Sequence, residues 1–113
     1  MHVGHIITWE RAARGREHEA LAVFADALAF WDARIEASDI ESREVFIHTD
    51  GRGMVIVTGD SATIQKITET DEYREIMNRC SLFVDGFTVR GSWSTGEEID
   101  RLVVDYGKAV ANL

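Results

Sequence analysis

Residues 2 to 9, HVGHIITW, alternate in character, with Val3, His5, Ile7 and Trp9 on one side, and a period of two marks a strand. After the basic connector ERAARGR the period changes. From Arg16 to about Ala37, the residues Leu21, Phe24, Leu28, Trp31 and Ile35 recur at steps of three and four, which predicts a helix with one apolar stripe. Ser38 and Asp39 end that pattern. SREVFIH (42 to 48) and MVIVTG (54 to 59) then read as two strands, joined through TDGRG, whose Asp50-Gly51 pair suits a hairpin turn. Ser61 is placed to cap a short helix carrying Ile64 and Ile67. Thr70 is placed to cap its continuation DEYREIMNRC, on which Tyr73, Ile76, Met77 and Cys80 share a face, so a bend is expected near Thr70. The stretch FVDGFTVRGSWS (83 to 94) supplies a fourth strand, with Phe83, Asp85, Phe87, Val89 and Trp93 on one face. Thr95 and Glu98 form the T-x-x-E signature of a capping box, opening a last helix with Ile99, Leu102, Val103, Tyr106 and Val110.

The resulting order is βαββαβα. Two split β-α-β units with right-handed crossovers build a four-stranded antiparallel sheet in the spatial order 4-1-3-2, with the first two helices on one face. The fold class is therefore α+β, a ferredoxin-like βαββαβ sandwich with an extra C-terminal helix, and residues 1–113 are expected to form one domain of this kind. The second face of the sheet raises a difficulty. A solvated face should be polar, yet Val45 and Ile47 oppose Phe46 and His48 on the second strand, and Met54 and Ile56 oppose Val55 and Val57 on the third. Burying about six such side chains is worth on the order of 10 kcal/mol gross. The last helix is able to cover part of this face, and a second copy packed by two-fold symmetry covers it fully. A homodimer through the sheet face is the expectation, with His48 buried or at that interface.

With this element order the chain resembles the dimeric α+β barrel superfamily, in which two ferredoxin-like subunits pack sheet to sheet. GHIITWE is similar to the first strand of stress-responsive A/B barrel proteins, which carries a histidine near the N-terminus, and TDEYREIM is similar to the superfamily's second-helix segment. The resemblance extends to antibiotic-biosynthesis-monooxygenase-like proteins and implies several chemistries: cofactor-free oxygenation of aromatic polyketides, haem degradation, isomerisation and aldol-type cyclisation. Some A/B barrel cyclases pair the strand-one histidine, here matched by His5, with a second histidine in the helix-two region, where this chain has Glu72 and Tyr73 instead.

Composition narrows the field. With 113 residues, 45% hydrophobic and 28% charged, the chain has the makeup of an ordinary globular protein able to bury a core. Twenty acidic against twelve basic residues give a net charge of -8, so neither nucleic acid nor an anionic membrane is an expected partner. Cys80 is the only cysteine, which leaves no intrachain disulfide and no multi-cysteine zinc site and suits a reducing, cytoplasmic location. No apolar run approaches the length of a membrane span, and the start of the chain shows no export signal.

The residues that can carry chemistry are few. His5 has the titration range of a general base, and equally of a half-buried strand histidine. Asp85 needs a partner if it is buried in a strand, and His5 is that partner if the first and fourth strands are neighbours in the right register. Tyr73 needs a hydrogen bond if buried and is able to hold a developing oxyanion. Trp9, Trp31, Phe87 and Trp93 are placed to line a flat apolar pocket, and Arg90 to hold a carboxylate or enolate. GRG at 51 to 53 lacks the lysine of a phosphate loop, and His2 and His5 point to opposite faces, so neither a nucleotide nor a metal is implied. The expected protein is a cofactor-independent homodimer that binds a small aromatic or polyketide-like molecule, with His5, Asp85 and Tyr73 as catalytic candidates. The alternative is a non-catalytic carrier or assembly module whose aromatic residues are simply core.

Overall fold

The computed structural model describes residues 1–113. Strand β1 (His2–Trp9) is followed by a two-residue strand β2 (Arg11–Ala12), helix α1 (Glu17–Glu36), and the hairpin of β3 (Ser42–Ile47) and β4 (Gly53–Asp60). Helices α2 (Ser61–Thr68) and α3 (Asp71–Phe83), strands β5 (Val84–Asp85) and β6 (Thr88–Ser94), and helix α4 (Glu97–Ala111) complete the chain. The main sheet has the order β3-β4-β1-β6, every pair antiparallel. Counting only its four strands, this is the expected 4-1-3-2 order.

The alternation of β1 fixes which face receives the helices. Val3, His5 and Ile7 are buried, and so are Val55 and Val57, their neighbours on β4. Against them pack Val23, Phe30 and Trp31 of α1, Ile64 and Ile67 of α2, and Tyr73, Ile76 and Cys80 of α3, giving one continuous core. The face α1 presents differs from the expected stripe. Phe30 and Trp31 are adjacent and both bulky, so burying both rolls the helix until Ala20, Val23 and Ala27 point inward, and Leu21 turns out to 68% exposure. Thr70 caps α3, its Oγ1 accepting from the Tyr73 amide at 3.3 Å. At α2 the cap is Asp60 in place of Ser61, because its carboxylate reaches the Thr63 amide at 3.3 Å.

Two further expectations are corrected. FVDGFTVRGSWS is not one strand: Phe83 closes α3, Val84 and Asp85 pair with Ala12 and Arg11 in a separate ribbon, and the chain turns at Gly86 before β6 begins. Gly86 has φ +67°, and a Cβ there would lie 2.4 Å from Cγ of Glu10, so the turn requires glycine. The T-x-x-E box does not form either. Gly96 stands at the start of α4, while the Thr95 hydroxyl is drawn away to the His2 carbonyl at 3.1 Å and the His2 ring.

Helix α4 does not cover the second face of the sheet. None of its residues is buried, and Phe46, Met54 and Trp93 remain 51%, 37% and 50% exposed. His48 is likewise exposed at the hairpin, where its Nδ1 accepts from the Asp50 amide at 3.2 Å. No helix is long and apolar enough to cross a membrane.

Candidate functional site

His5 occupies the centre of the sheet's helix-bearing face at 4% exposure, and its Nε2 shares a 2.9 Å hydrogen bond with the Tyr73 hydroxyl. The Thr70 cap sets the first turn of α3 and so aims Tyr73 at β1. Trp31, fully buried on α1, completes the cluster, its ring centroid 6.1 Å from those of both His5 and Tyr73. The Trp31 Nε1–H is buried and has no acceptor within the chain. Burial pushes the His5 imidazole below its ordinary 6.5 and the Tyr73 phenol up to about 12. Both groups are thus neutral at neutral pH, and the imidazole is in the form that accepts a proton.

The other ring nitrogen of His5 points toward β6. A Cβ on Gly91 would sit 3.0 Å from His5 Nδ1, so any larger residue there would press on the ring. A glycine inside a strand often marks such a close approach, a signal that the sequence carries at Gly91. Asp85 does not join this cluster. It lies exposed on β5 opposite Arg11, because the turn at Gly86 separates it from β6.

The aromatic residues expected around one pocket are divided among three places. Trp31 belongs to the core beside His5. Trp93 and Arg90 sit on the uncovered face of the sheet, opposite Gly4 and Ile6. Trp9 and Phe87 line a cavity of about 320 Å³ between α1 and the sheet, together with Phe24, Val55, Cys80 and Val84, and the exposed Leu21 marks its mouth. Neither His5 nor Tyr73 lines it.

Trp9 forms one wall of this cavity because its indole is held at both ends. Its Nε1–H donates to the Gly51 carbonyl at 3.1 Å, and its ring meets Phe24 edge to face at 5.6 Å. It lies across Gly53, where a Cβ would come within 2.5 Å of the ring. Burial raises the Cys80 thiol to about 11, so it remains a neutral, weakly nucleophilic wall. Phe24 was already on the apolar stripe of α1, but nothing in the sequence separates a cavity wall from plain core at Val55, Cys80 or Val84. No cluster of histidine, cysteine and carboxylate side chains is placed to hold a metal.

No family model matches the chain, and no curated protein matches it. Solved structures do. A dimeric ferredoxin-like protein of unknown function from Jannaschia sp. superposes with a TM-score of 0.62 at 13% identity, covering 83% of this chain and 100% of that one. An antibiotic biosynthesis monooxygenase-like protein from Bacteroides thetaiotaomicron gives 0.62 at 8% identity, with 85% and 90% covered. A dimeric protein of ferredoxin-like fold and unknown function from Bacteroides fragilis gives 0.54 at 12%, with 82% and 96% covered. The chain has the ferredoxin-like fold. At these identities the fold is what is shared, as the resemblance to the dimeric α+β barrels implied, and two of the three proteins are dimeric.

Proposed function

We propose that this protein is a homodimer that binds a small, mainly apolar and aromatic molecule in the cavity beneath α1. The observation that carries the reading is the cavity itself. It has about 320 Å³ of space walled by Trp9, Phe24 and Phe87, at the small end of the roughly 300 to 1,000 Å³ usual for ligand sites. Its walls offer little polar recognition, since the Trp9 N–H is already committed to Gly51 and the thiol is neutral. A flat hydrophobic ring system suits it, with any polar substituent directed to the mouth near Glu17. The lone reduced thiol of Cys80 favours a cytoplasmic setting.

A second reading, proton-transfer catalysis, is supported by one observation. His5 is a neutral base whose Nε2 is held by Tyr73 while its Nδ1 has no partner in the chain. Such a pair suits a cofactor-independent isomerisation, cyclisation or oxygenation, but it lies off the cavity lining, so binding is the better supported function.

The two are separated by a thermal-shift screen with aromatic acids and polyketides. A ligand that binds the native cavity raises Tm. Ala27→Phe, which fills the cavity from α1, is expected to abolish the shift, and His5→Asn to leave it intact. A shift that survives Ala27→Phe places the ligand elsewhere. Turnover of an identified ligand that is lost in His5→Asn establishes the catalytic reading.

A further inference from the structure

The uncovered face of the sheet carries a pattern that follows from its register. Three rows of side chains cross it from β3 to β6. The middle row runs Glu44, Ile56, Ile6, Arg90. To one side lies Ser42, Thr58, Gly4, Trp93, and to the other Phe46, Met54, Thr8, Thr88. The Ser42–Thr58 hydrogen bond of 2.6 Å and the Thr8–Thr88 hydrogen bond confirm that these partners share a face.

Every row is lopsided about its centre. The middle row is acidic at one end and basic at the other, separated by three strand spacings, or about 14 Å, too far for the two ends to meet within one chain. Neither Glu44 nor Arg90 has an ion-pair partner among the salt bridges of the chain. One flanking row has its large residue, Trp93, on β6 and small Ser42 on β3. The other has its large residue, Phe46, on β3 and small Thr88 on β6.

We infer that two copies pack these faces together about a two-fold axis that runs parallel to the strands, between β4 and β1. The inference rests on the homodimer reading and specifies its geometry. Such an axis exchanges left and right within each row while keeping the rows in place. Glu44 then faces the Arg90 position of the second copy, Ile56 faces Ile6, Trp93 covers Ser42, and Phe46 covers Thr88. Charge meets opposite charge twice, and each large ring meets a small residue, the complementarity that a self-matching interface requires. Sheets stacked about 10 Å apart leave room for an arginine and a glutamate to meet. An axis perpendicular to the strands would instead set Glu44 against Glu44 and Arg90 against Arg90 in a desolvated layer, which costs heavily. Phe46, Met54 and Trp93, exposed in the single chain, add apolar surface to the contact about the parallel axis.

Charge reversal tests the arrangement in the full-length protein by sedimentation velocity, with far-UV circular dichroism to verify folding of each variant. Glu44→Arg and Arg90→Glu are each expected to weaken the dimer about tenfold or more, and the double variant to recover most of that loss. In a mixture of Glu44→Cys and Arg90→Cys chains, a short bis-maleimide should link the two variants to each other and neither to itself, the buried Cys80 staying unreactive. Wild-type protein that sediments as a monomer removes the homodimer reading and the arrangement with it. A dimer that ignores the single reversals, is not restored by the double variant, or links Glu44→Cys to itself overturns the arrangement alone.

Discussion

His5 shows how a single residue is given a property by its surroundings. Its imidazole has a lowered proton affinity because burial penalises the charged form, so the unfolded chain binds that proton more readily than the native one. Stability from this site is therefore complete above the ordinary value of 6.5 and is lost as pH falls below it. Thermal melts between about pH 7 and 5 should show wild-type protein losing stability more steeply than His5→Asn, in which no proton is taken up on unfolding at this position. Equal slopes would mean that the native imidazole protonates freely. The pairing of His5 with Tyr73 was not readable from the sequence, because it joins residues on β1 and α3 whose approach depends on the packing of both against α1. What was readable was narrower: His5 on the buried side of an alternating strand, and Tyr73 on the apolar face of a capped helix.

Among the elements, the strands followed from alternation and the order of the sheet from connection rules, since few topologies accommodate βαββαβ with right-handed crossovers. Where the sequence reading failed, a competing contact had prevailed over a local pattern. Thr95 matched a capping signature but bonds His2 instead, and α1 rolled to bury Phe30 beside Trp31. Thr70 is the case in which local and tertiary demands agree. Its hydroxyl caps α3 and thereby orients Tyr73, so Thr70→Ala should lower stability by about 1 kcal/mol in denaturant titrations. Because the same turn carries the partner of His5, the acid-side slope should change as well. A loss of stability without that change would separate the cap from the cluster.

The molecule as a whole leaves much apolar surface uncovered in the single chain. Its radius of gyration is 16.2 Å, against about 13 Å expected for a compact chain of this length, and α4 borders β6 only across an open groove, with Ile99, Leu102, Val103 and Val110 exposed. Dilution toward separate chains should therefore increase binding of a hydrophobic dye per mole of protein, and the increase should coincide with the fall in sedimentation coefficient. Dye binding independent of concentration would mean that these surfaces are never covered. That both sides of the sheet are apolar was plain from the sequence. Which side chains confront each other across it was not, because that requires the register of all four strands.

That register turns on one irregular residue. Between Gly4 and Ile6 of β1 the pairing with β6 slips, and Ser92 adopts φ +62° to take up the extra length. The slip turns Trp93 outward and leaves Ser94 beside Val3. Were β6 to run on regularly from Arg90 with Ser92 in step, Trp93 would fall opposite Val3, driving an indole into the helical layer and leaving a hydroxyl where a ring had stood. One surplus residue in an edge strand thus decides which side of the sheet keeps the indole, without altering any other amino acid.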